Sequence, residues 1–346
     1  MSLRLTASAE FARALASAMD ALGWSSEAAL KALDLGDGTT ARDRVPVDRL
    51  NGMFAAAEAA TGDPAIGIRS GHRFRVAAHG RTGAVYAYAR DLPDVIDLNA
   101  RYQKLSVDLG AIRYRRTDGR HLMEFAPHDT DPARLHHASG MLMGAYVTAY
   151  RWLNWGAGEE LVSVGLPGPA CARLRETART LFRCPVVFDT DTGHLEFTPR
   201  AMQTPLATSD EEKRARAVAL MENLLEDGER ADAFCKALEA AVRAGLAAGP
   251  FGLGTLADRM DLSESKLRAR MRETGRSYRT LVDDVRRDIM RERHAAGDSL
   301  SQIAGALGYN DQAAFNRAVR RWYGVAPGQW SPDTPLRQAP ASEEEE

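Results

Sequence analysis

Residues 303–309 read Ile303-Ala304-Gly305-Ala306-Leu307-Gly308-Tyr309, and residues 315–327 read Phe315-Asn316-Arg317-Ala318-Val319-Arg320-Arg321-Trp322-Tyr323-Gly324-Val325-Ala326-Pro327. A short apolar segment with a small Ala at its contact, a turn at Gly308, and a second segment with apolar side chains at i,i+4 describe two helices packed across a tight turn of three or four residues. The pattern occurs twice. Leu256-Ala257 precedes Leu262-Ser263, Leu267 and Met271 as Ile303-Ala304 precedes Leu307-Gly308, Phe315 and Val319, a repeat of about 47 residues. Ser263 and Asp311 stand where each second helix begins, and there a side-chain oxygen satisfies free N–H groups. Between the copies, Tyr278 to Arg293 predicts one helix with Leu281, Val285 and Ile289 on one face, a rod that sets the spacing of the two units.

Charge divides the chain at the same place. The whole carries 45 Lys+Arg and 47 Asp+Glu, a net charge of -2, yet residues 251–330 hold 14 basic against 10 acidic side chains. A basic C-terminal module on an acidic larger part is the balance expected of a nucleic-acid reader joined to a sensor or scaffold. Only Lys266 of the 14 is a lysine. The planar fork of arginine suits phosphate and guanine.

Upstream, residues 5–60 read as Ala-rich helices (Phe11 to Leu22, Ser26 to Leu33, Asp48 to Ala60) separated by Gly-containing turns such as residues 36–38. Ala84 to Ala89 and a helix from Asp91 to Leu105, with Pro93 in its first turn, follow. Ile112–Arg116 and His121–Phe125 predict a hairpin, its turn at Asp118-Gly119. A helix from Ala133 to Trp155, a strand Leu161–Leu166, a helix Ala170–Leu181 and strands at Pro185–Phe188 and His194–Phe197 complete an α+β domain with a mixed sheet. Residues 1–205 are expected to form this domain, 206–234 a connecting helix (Glu211 to Leu225) broken at Asp227-Gly228-Glu229, 235–330 an all-α domain with two helix-turn-helix units, and 331–346 a disordered acidic tail.

Several functions are disfavoured. The longest strongly apolar stretch, Ala138 to Tyr150, is too short for a bilayer, and the charges in Met1 to Ala12 do not suit a signal peptide, which predicts a cytoplasmic protein without membrane association. Cys171, Cys184 and Cys235 are scattered and lack CxxC spacing, so neither a disulfide framework nor a cysteine zinc site is expected. His128, Asp131, His136 and His137 lack the i,i+4 pair of a helical zinc site, so no metal is expected. Residues 252–257 match G-x-G-x-x-A without a preceding strand and read as a helix-start turn. No Walker loop, nucleophile elbow or paired-carboxylate signature is present, so neither enzymatic activity nor a cofactor is expected.

The segments Leu256–Met260, Leu262–Leu267, Gly275–Tyr278, Ile303–Tyr309, Phe315–Arg317 and Arg320–Pro327 together resemble the C-terminal domain of the AraC/XylS family of bacterial transcription regulators. That resemblance implies two recognition helices in successive major grooves of double-stranded DNA. Three departures stand out: Ala269 where relatives often carry Arg, Val319 for a usual Phe, with Trp322 expected to compensate, and Trp330-Ser331 for a usual Tyr-Arg. With Leu267 and Met271 inward, and Phe315 and Val319 inward, the base-reading candidates are Ser265, Arg268, Gln312, Asn316 and Arg317; Gln and Asn pair with adenine and Arg with guanine. Lys266, Arg272, Arg276 and Arg320 are the phosphate candidates.

Residues from about 20 to 205 resemble, through Gly62–Ile68, Gly80–Gly83, Asn99–Tyr102, Phe182–Phe188, Leu195–Phe197 and Thr204–Leu206, the arabinose-binding-like regulatory domain of one subgroup of that family. This implies a small-molecule effector of unspecified identity, a homodimer, and RNA polymerase as a further partner. Tyr86, Tyr88, Tyr102, Tyr146, Tyr150 and Trp152 are the candidate pocket lining, with core packing as the competing role. The rival function is a constitutive dimeric DNA-binding factor with no ligand.

Overall fold

The computed structural model describes residues 5–36, 39, 43–74, 81–128, 132–154, 160–249, 251–274, 276–309, 311–332, 334 and 337. Contacts divide the chain into two compact units, Met1–Gly228 and Glu229–Glu346.

In the first unit, β1 (Thr6–Ser8) and β2 (Arg44–Pro46) pair antiparallel and bracket α1 (Ala9–Asp20) and α2 (Ser26–Leu33). These two strands correct the all-helical expectation for residues 5–60. Three-residue strands are too short to show a period, and the pairing is long-range. Ser8 and Ser25 cap the two helices by accepting from the N–H groups of Phe11 and Ala28. Then come α3 (Val47–Thr61), α4 (Ile66–His72), α5 (Arg81–Ala87) and α6 (Leu92–Ser106), the last capped by Asp91 with Pro93 in its first turn. The hairpin forms from β3 (Gly110–Thr117) and β4 (Arg120–Pro127), turning through Asp118 and Gly119, both at positive φ.

α7 (Pro132–Leu153) is the central helix, and β5 (Leu161–Leu166), α8 (Ala172–Phe182), β6 (Val186–Phe188), β7 (Gly193–Phe197) and α9 (Pro199–Gln203) complete the domain. The five-stranded sheet has the order β3-β4-β7-β5-β6, antiparallel except for the parallel β5–β6 pair, so the α+β mixed-sheet reading holds. Met123, Phe125, Val164, Leu195 and Phe197 join the α7 residues Met141, Leu142, Ala145 and Val147 in one buried core. α4 crosses α7 at backbone contact: a Cβ on Gly144 would sit 2.6 Å from the Ile68 carbonyl oxygen.

α10 (Glu211–Ala248) is a single helix of 38 residues, which corrects the expected break at Asp227-Gly228-Glu229. One exposed glycine costs a helix only about 1 kcal/mol, too little to end a run otherwise rich in Ala, Leu, Glu and Arg. The early turns of α10 pack Met221 against Val85, Tyr86, Leu98, Tyr102 and Leu153. Buried Asp94 of α6 accepts from both Nε and Nη2 of Arg214 at 2.6 Å, and from Arg90. Those guanidinium partners hold the Asp94 carboxyl well below the usual carboxylate range despite its burial.

Candidate nucleic-acid interface

The second unit is all helical. Phe234, Leu238, Val242 and Leu246, from the late turns of α10, pack in one core with α11 (Leu253–Arg259), α12 (Glu264–Glu273), α13 (Tyr278–Ala295), α14 (Leu300–Ala306) and α15 (Gln312–Tyr323). The caps are where the sequence places them. Ser263 accepts from the Lys266 N–H at 3.3 Å and Asp311 from the Ala314 N–H at 2.6 Å. Ser277 with Thr280 and Ser299 with Gln302 form capping boxes on α13 and α14.

Each recognition helix is fixed by its apolar pair. Leu267 and Met271 of α12, and Phe315 and Val319 of α15, are all buried; so are Ala257 and Ala304, the small residues at the contacts. The turn before α12 places Asp261 at φ 53°, and the turn before α15 places Gly308 at φ 72°. The latter turn, residues 307–311, exceeds the expected three or four. Leu281, Val285 and Ile289 line the buried face of α13. Trp322 is buried beside Val319, and Trp330, ring to ring with His294 and Tyr323 at 5.1 and 5.6 Å, closes the end of the core. Sequence reading noted Trp330 only as a departure; its packing depends on distant partners.

The outward faces follow. Ser265, Lys266, Arg268 and Arg272 are exposed on α12, with Ala269 half-buried among them. On α15, Gln312, Arg317 and Arg320 are exposed and Asn316 is half-buried. The Gln312 amide donates to Asn316 Oδ1 at 3.2 Å, aligning two amides along the helix. Arg268 reaches back to Glu264 at 3.3 Å.

Ion pairing sorts the remaining cations. Arg276, a phosphate candidate, is instead committed to Glu239 of α10 at 2.6 Å and is only a quarter exposed. Burial alone would lower its pKa, but Glu239 outweighs this and raises it. Arg321 is tied to Asp283, Arg243 to Glu292, Arg293 to Asp298, Arg291 to Asp288 and Arg287 to Asp284. Arg286 donates to the Leu307 carbonyl and lies 4.4 Å over the Tyr309 ring; Arg270 lies 4.1 Å over Phe234. Among the described residues Lys266, Arg272, Arg317 and Arg320 have no such partner. Arg259 and Arg279 are also exposed without one. Sequence reading passed over both because only the folded pairing pattern sets them apart.

Of the six aromatic candidates of the first unit, Tyr86 and Tyr146 meet at Asn99, and Tyr86 and Tyr102 share one buried cluster. Tyr86 donates to Asn99 Oδ1 at 3.1 Å and Tyr146 to Gln103 Oε1 at 3.3 Å, both buried. Tyr102 donates to Glu222 of α10, and burial with that carboxylate pushes its hydroxyl up to about 12. Tyr150 packs 4.9 Å from Phe197, Tyr88 is half-buried with the Lys213 ammonium 5.3 Å over its ring, and Trp152 is 49% exposed. Two concavities of this unit have other linings. One, with Pro64, Ile68, His136 and Phe188 in its wall, has about 10 Å³ of free volume; the other is open, about 700 Å³, and bounded by Arg175, Arg179, Arg183 and Phe188. His136, His137 and His128 bond separately to the Pro64 carbonyl, Glu58 and Asp108, and Asp131 lies outside the described residues. Among the described residues no three His, Cys, Asp or Glu side chains converge on a common point, and no helix is long and apolar enough to cross a membrane.

Known proteins match both units. Residues 9–206 match the arabinose-binding domain of AraC transcription regulator, N-terminal, and residues 256–332 match a helix-turn-helix domain. The chain is 26% identical over 287 residues to the ornithine utilization regulator of Pseudomonas aeruginosa, covering 81% of this chain and 82% of that protein. It is 33% identical over 141 residues to an uncharacterised HTH-type transcriptional regulator of Mycobacterium bovis, a match to 38% of this chain and only 39% of that relative's length. The crystal structure of the transcriptional regulator CdpR from Pseudomonas aeruginosa aligns over 79% of this chain and 88% of that chain, at 21% identity and a TM-score of 0.43. With more than half of its residues inside the first of these domains and a helix-turn-helix domain behind it, the chain belongs to the family of AraC transcription regulators.

Proposed function

We propose that the protein is a sequence-specific DNA-binding transcription regulator whose first unit answers to a small-molecule effector. One observation carries the DNA-binding part: both recognition helices are held by buried apolar pairs, and among the described residues they turn outward four cations without an acidic partner, Lys266 and Arg272 on α12 and Arg317 and Arg320 on α15. On this reading Gln312, Asn316 and Arg317 read base edges, with Ser265 and Arg268 contributing from α12. Lys266, Arg272 and Arg320 neutralise phosphates, while Arg276 serves the packing of α10. The match to an arabinose-binding domain supports the effector, and symmetry favours a homodimer that doubles the contacted half-sites. The reading includes work in the cytoplasm beside RNA polymerase, as expected of a helix-turn-helix regulator.

The test begins with selection of genomic fragments on the immobilised protein, followed by fluorescence anisotropy of the enriched duplex against salt. About three neutralised phosphates per chain give a slope of log K on log salt of roughly -2.7. A flat salt response, or no enrichment over random fragments, would overturn the proposal.

A second reading has a specific observation behind it. The Tyr86, Tyr102 and Tyr146 hydroxyls are already bonded to Asn99, Glu222 and Gln103, as expected of a domain that packs without a ligand. Thermal-shift screening with amino acids, including ornithine, and with fatty acids separates the two. A stabilising compound that also changes DNA affinity supports effector control; its absence across these classes favours the constitutive factor.

A further inference from the structure

Arg49, Arg69, Arg115, Arg120 and Arg200 of the first unit each lie within 3.5 Å of a carboxylate. α8 departs from that habit. Residues 171–183 hold four arginines and one acid, Glu176. Three of the four, Arg175, Arg179 and Arg183, recur every four residues and so share one face of the helix. They bound the open concavity of about 700 Å³, and Val186 and Phe188, two apart on β6, form its apolar floor. That volume lies within the range of small-molecule sites.

The guanidiniums are placed in different ways. Arg175 donates from Nε to the Ala170 carbonyl at 3.2 Å and holds its guanidinium carbon 4.9 Å over the Phe188 ring. Arg179 is exposed and has no acidic partner among the described residues. Arg183 ends the helix at φ 54°, a conformation that glycine takes without strain; the chain keeps a charged side chain there instead. Against Glu176, these three cations leave the lining with an excess of two positive charges. Phe188 is also a wall of the enclosed concavity behind it, whose free volume of about 10 Å³ holds one water at most. A ligand body therefore has to lie on the ring, not beneath it.

We propose that the groove between α8 and β6 binds a small organic dianion as the effector, its charges on Arg179 and Arg183 and a flat apolar body on Phe188. The inference rests on the effector reading of the first unit. Guanidinium forks match carboxylate and phosphate oxygens alike, and Arg175 adds attraction to an aromatic body. Cationic and neutral compounds gain nothing from the charge, and added salt weakens the dianion because the site is open.

Calorimetric titration of the full chain with phthalate and with phenyl phosphate, near pH 7.5 and at low salt, separates the two sources of charge; benzoate, sulfate and lysine are the comparisons. At least one dianion is expected to bind about fivefold or more tightly than any comparison compound, and to lose about tenfold on Arg179→Gln or Arg183→Gly. The glycine suits the left-handed helix end, so an unchanged melting temperature separates lost binding from lost folding. Both variants are expected to keep the duplex affinity of the ligand-free chain. No dianion binding, binding no tighter than that of benzoate or sulfate, or binding that survives both substitutions would overturn the site. So would a fall in duplex affinity in the two variants, which would make this face a contact for the DNA backbone. A compound of another class that shifts DNA affinity equally in parent and variants would preserve the effector reading and refute this groove. Dianion binding that the variants abolish, with no change in DNA affinity, would uphold the site and refute its effector role.

Discussion

The contact between α4 and α7 makes a sharp prediction because it is backbone against backbone. Gly144→Ala places a Cβ 2.6 Å from the Ile68 carbonyl oxygen, 3.0 Å from the His72 nitrogen and 3.2 Å from the Gly71 carbonyl carbon. Carbon and oxygen in normal contact stand at roughly 3.3 Å or more, so α4 must retreat by about 0.7 Å against a core with no slack. Overpacking of this kind costs up to about 3 kcal/mol, partly offset by about 1 kcal/mol of better helix propensity, leaving a net loss of about 2 kcal/mol. Gly228→Ala is the matched control: it is helical, exposed and has nothing within 4 Å of the added carbon, so only the propensity gain applies. For a unit of this size the first is expected to lower the melting temperature by about 4–8 °C, and the second to raise it by about 2–4 °C. Calorimetry of both variants against the parent provides the check. A neutral or stabilising Gly144→Ala would mean that the two helices do not touch at their backbones, and the packing account of the first unit would fail.

Three other expectations concern charge. Arg320→Gln should weaken binding to all DNA sequences and make the salt slope shallower by about 0.9, whereas Arg276→Gln should leave that slope alone and cost about 1 kcal/mol of stability through its lost pair with Glu239; anisotropy and urea unfolding distinguish them. Glu196, held by Arg120 at 2.6 Å and by Ser163, has its carboxyl drawn down to about 2 from an ordinary 4.5. Its stabilising contribution is therefore complete above about pH 4.5 and lost as the pH falls toward 2. About 1–2 kcal/mol is expected after allowing for the half-exposed Arg120, and Glu196→Gln should flatten the acid limb of a melting-temperature profile. Asp94→Asn strands the mostly buried Arg214 guanidinium, with an expected loss of about 2–3 kcal/mol and faster amide exchange over residues 211–225; a double substitution, Asp94→Leu with Arg214→Met, should recover part of that loss.

The second unit was legible because its signals are local. A cap at Ser263 or Asp311, an apolar pair four residues apart and a turn at Gly308 each lie within one helix or one loop, and they fix which way the side chains between them face. Arg276 escaped because its orientation depends on Glu239, 37 positions away. In the first unit the hairpin and β5 stood out by alternation and turn chemistry, while β1 and β2 did not, since their pairing is set by contacts across α1 and α2. A candidate pocket built from tyrosines was equally beyond reach. A Tyr spaced to face a ligand and one spaced to face Asn99 or Gln103 have the same sequence signature, and only the partner tells them apart.

The two recognition helices, alike in their buried positions, differ in what they present. On α12 the position between Arg268 and Arg270 holds Ala269, Arg268 leans on Glu264, and the free cations Lys266 and Arg272 sit on long stems. Such side chains suit phosphates, which carry no sequence information of their own. On α15 the Gln312 and Asn316 amides are already joined in a row, with Arg317 beside them. Less side-chain freedom is then lost when a base edge replaces water. Under the proposed function, α12 mainly supplies affinity and register while α15 supplies choice.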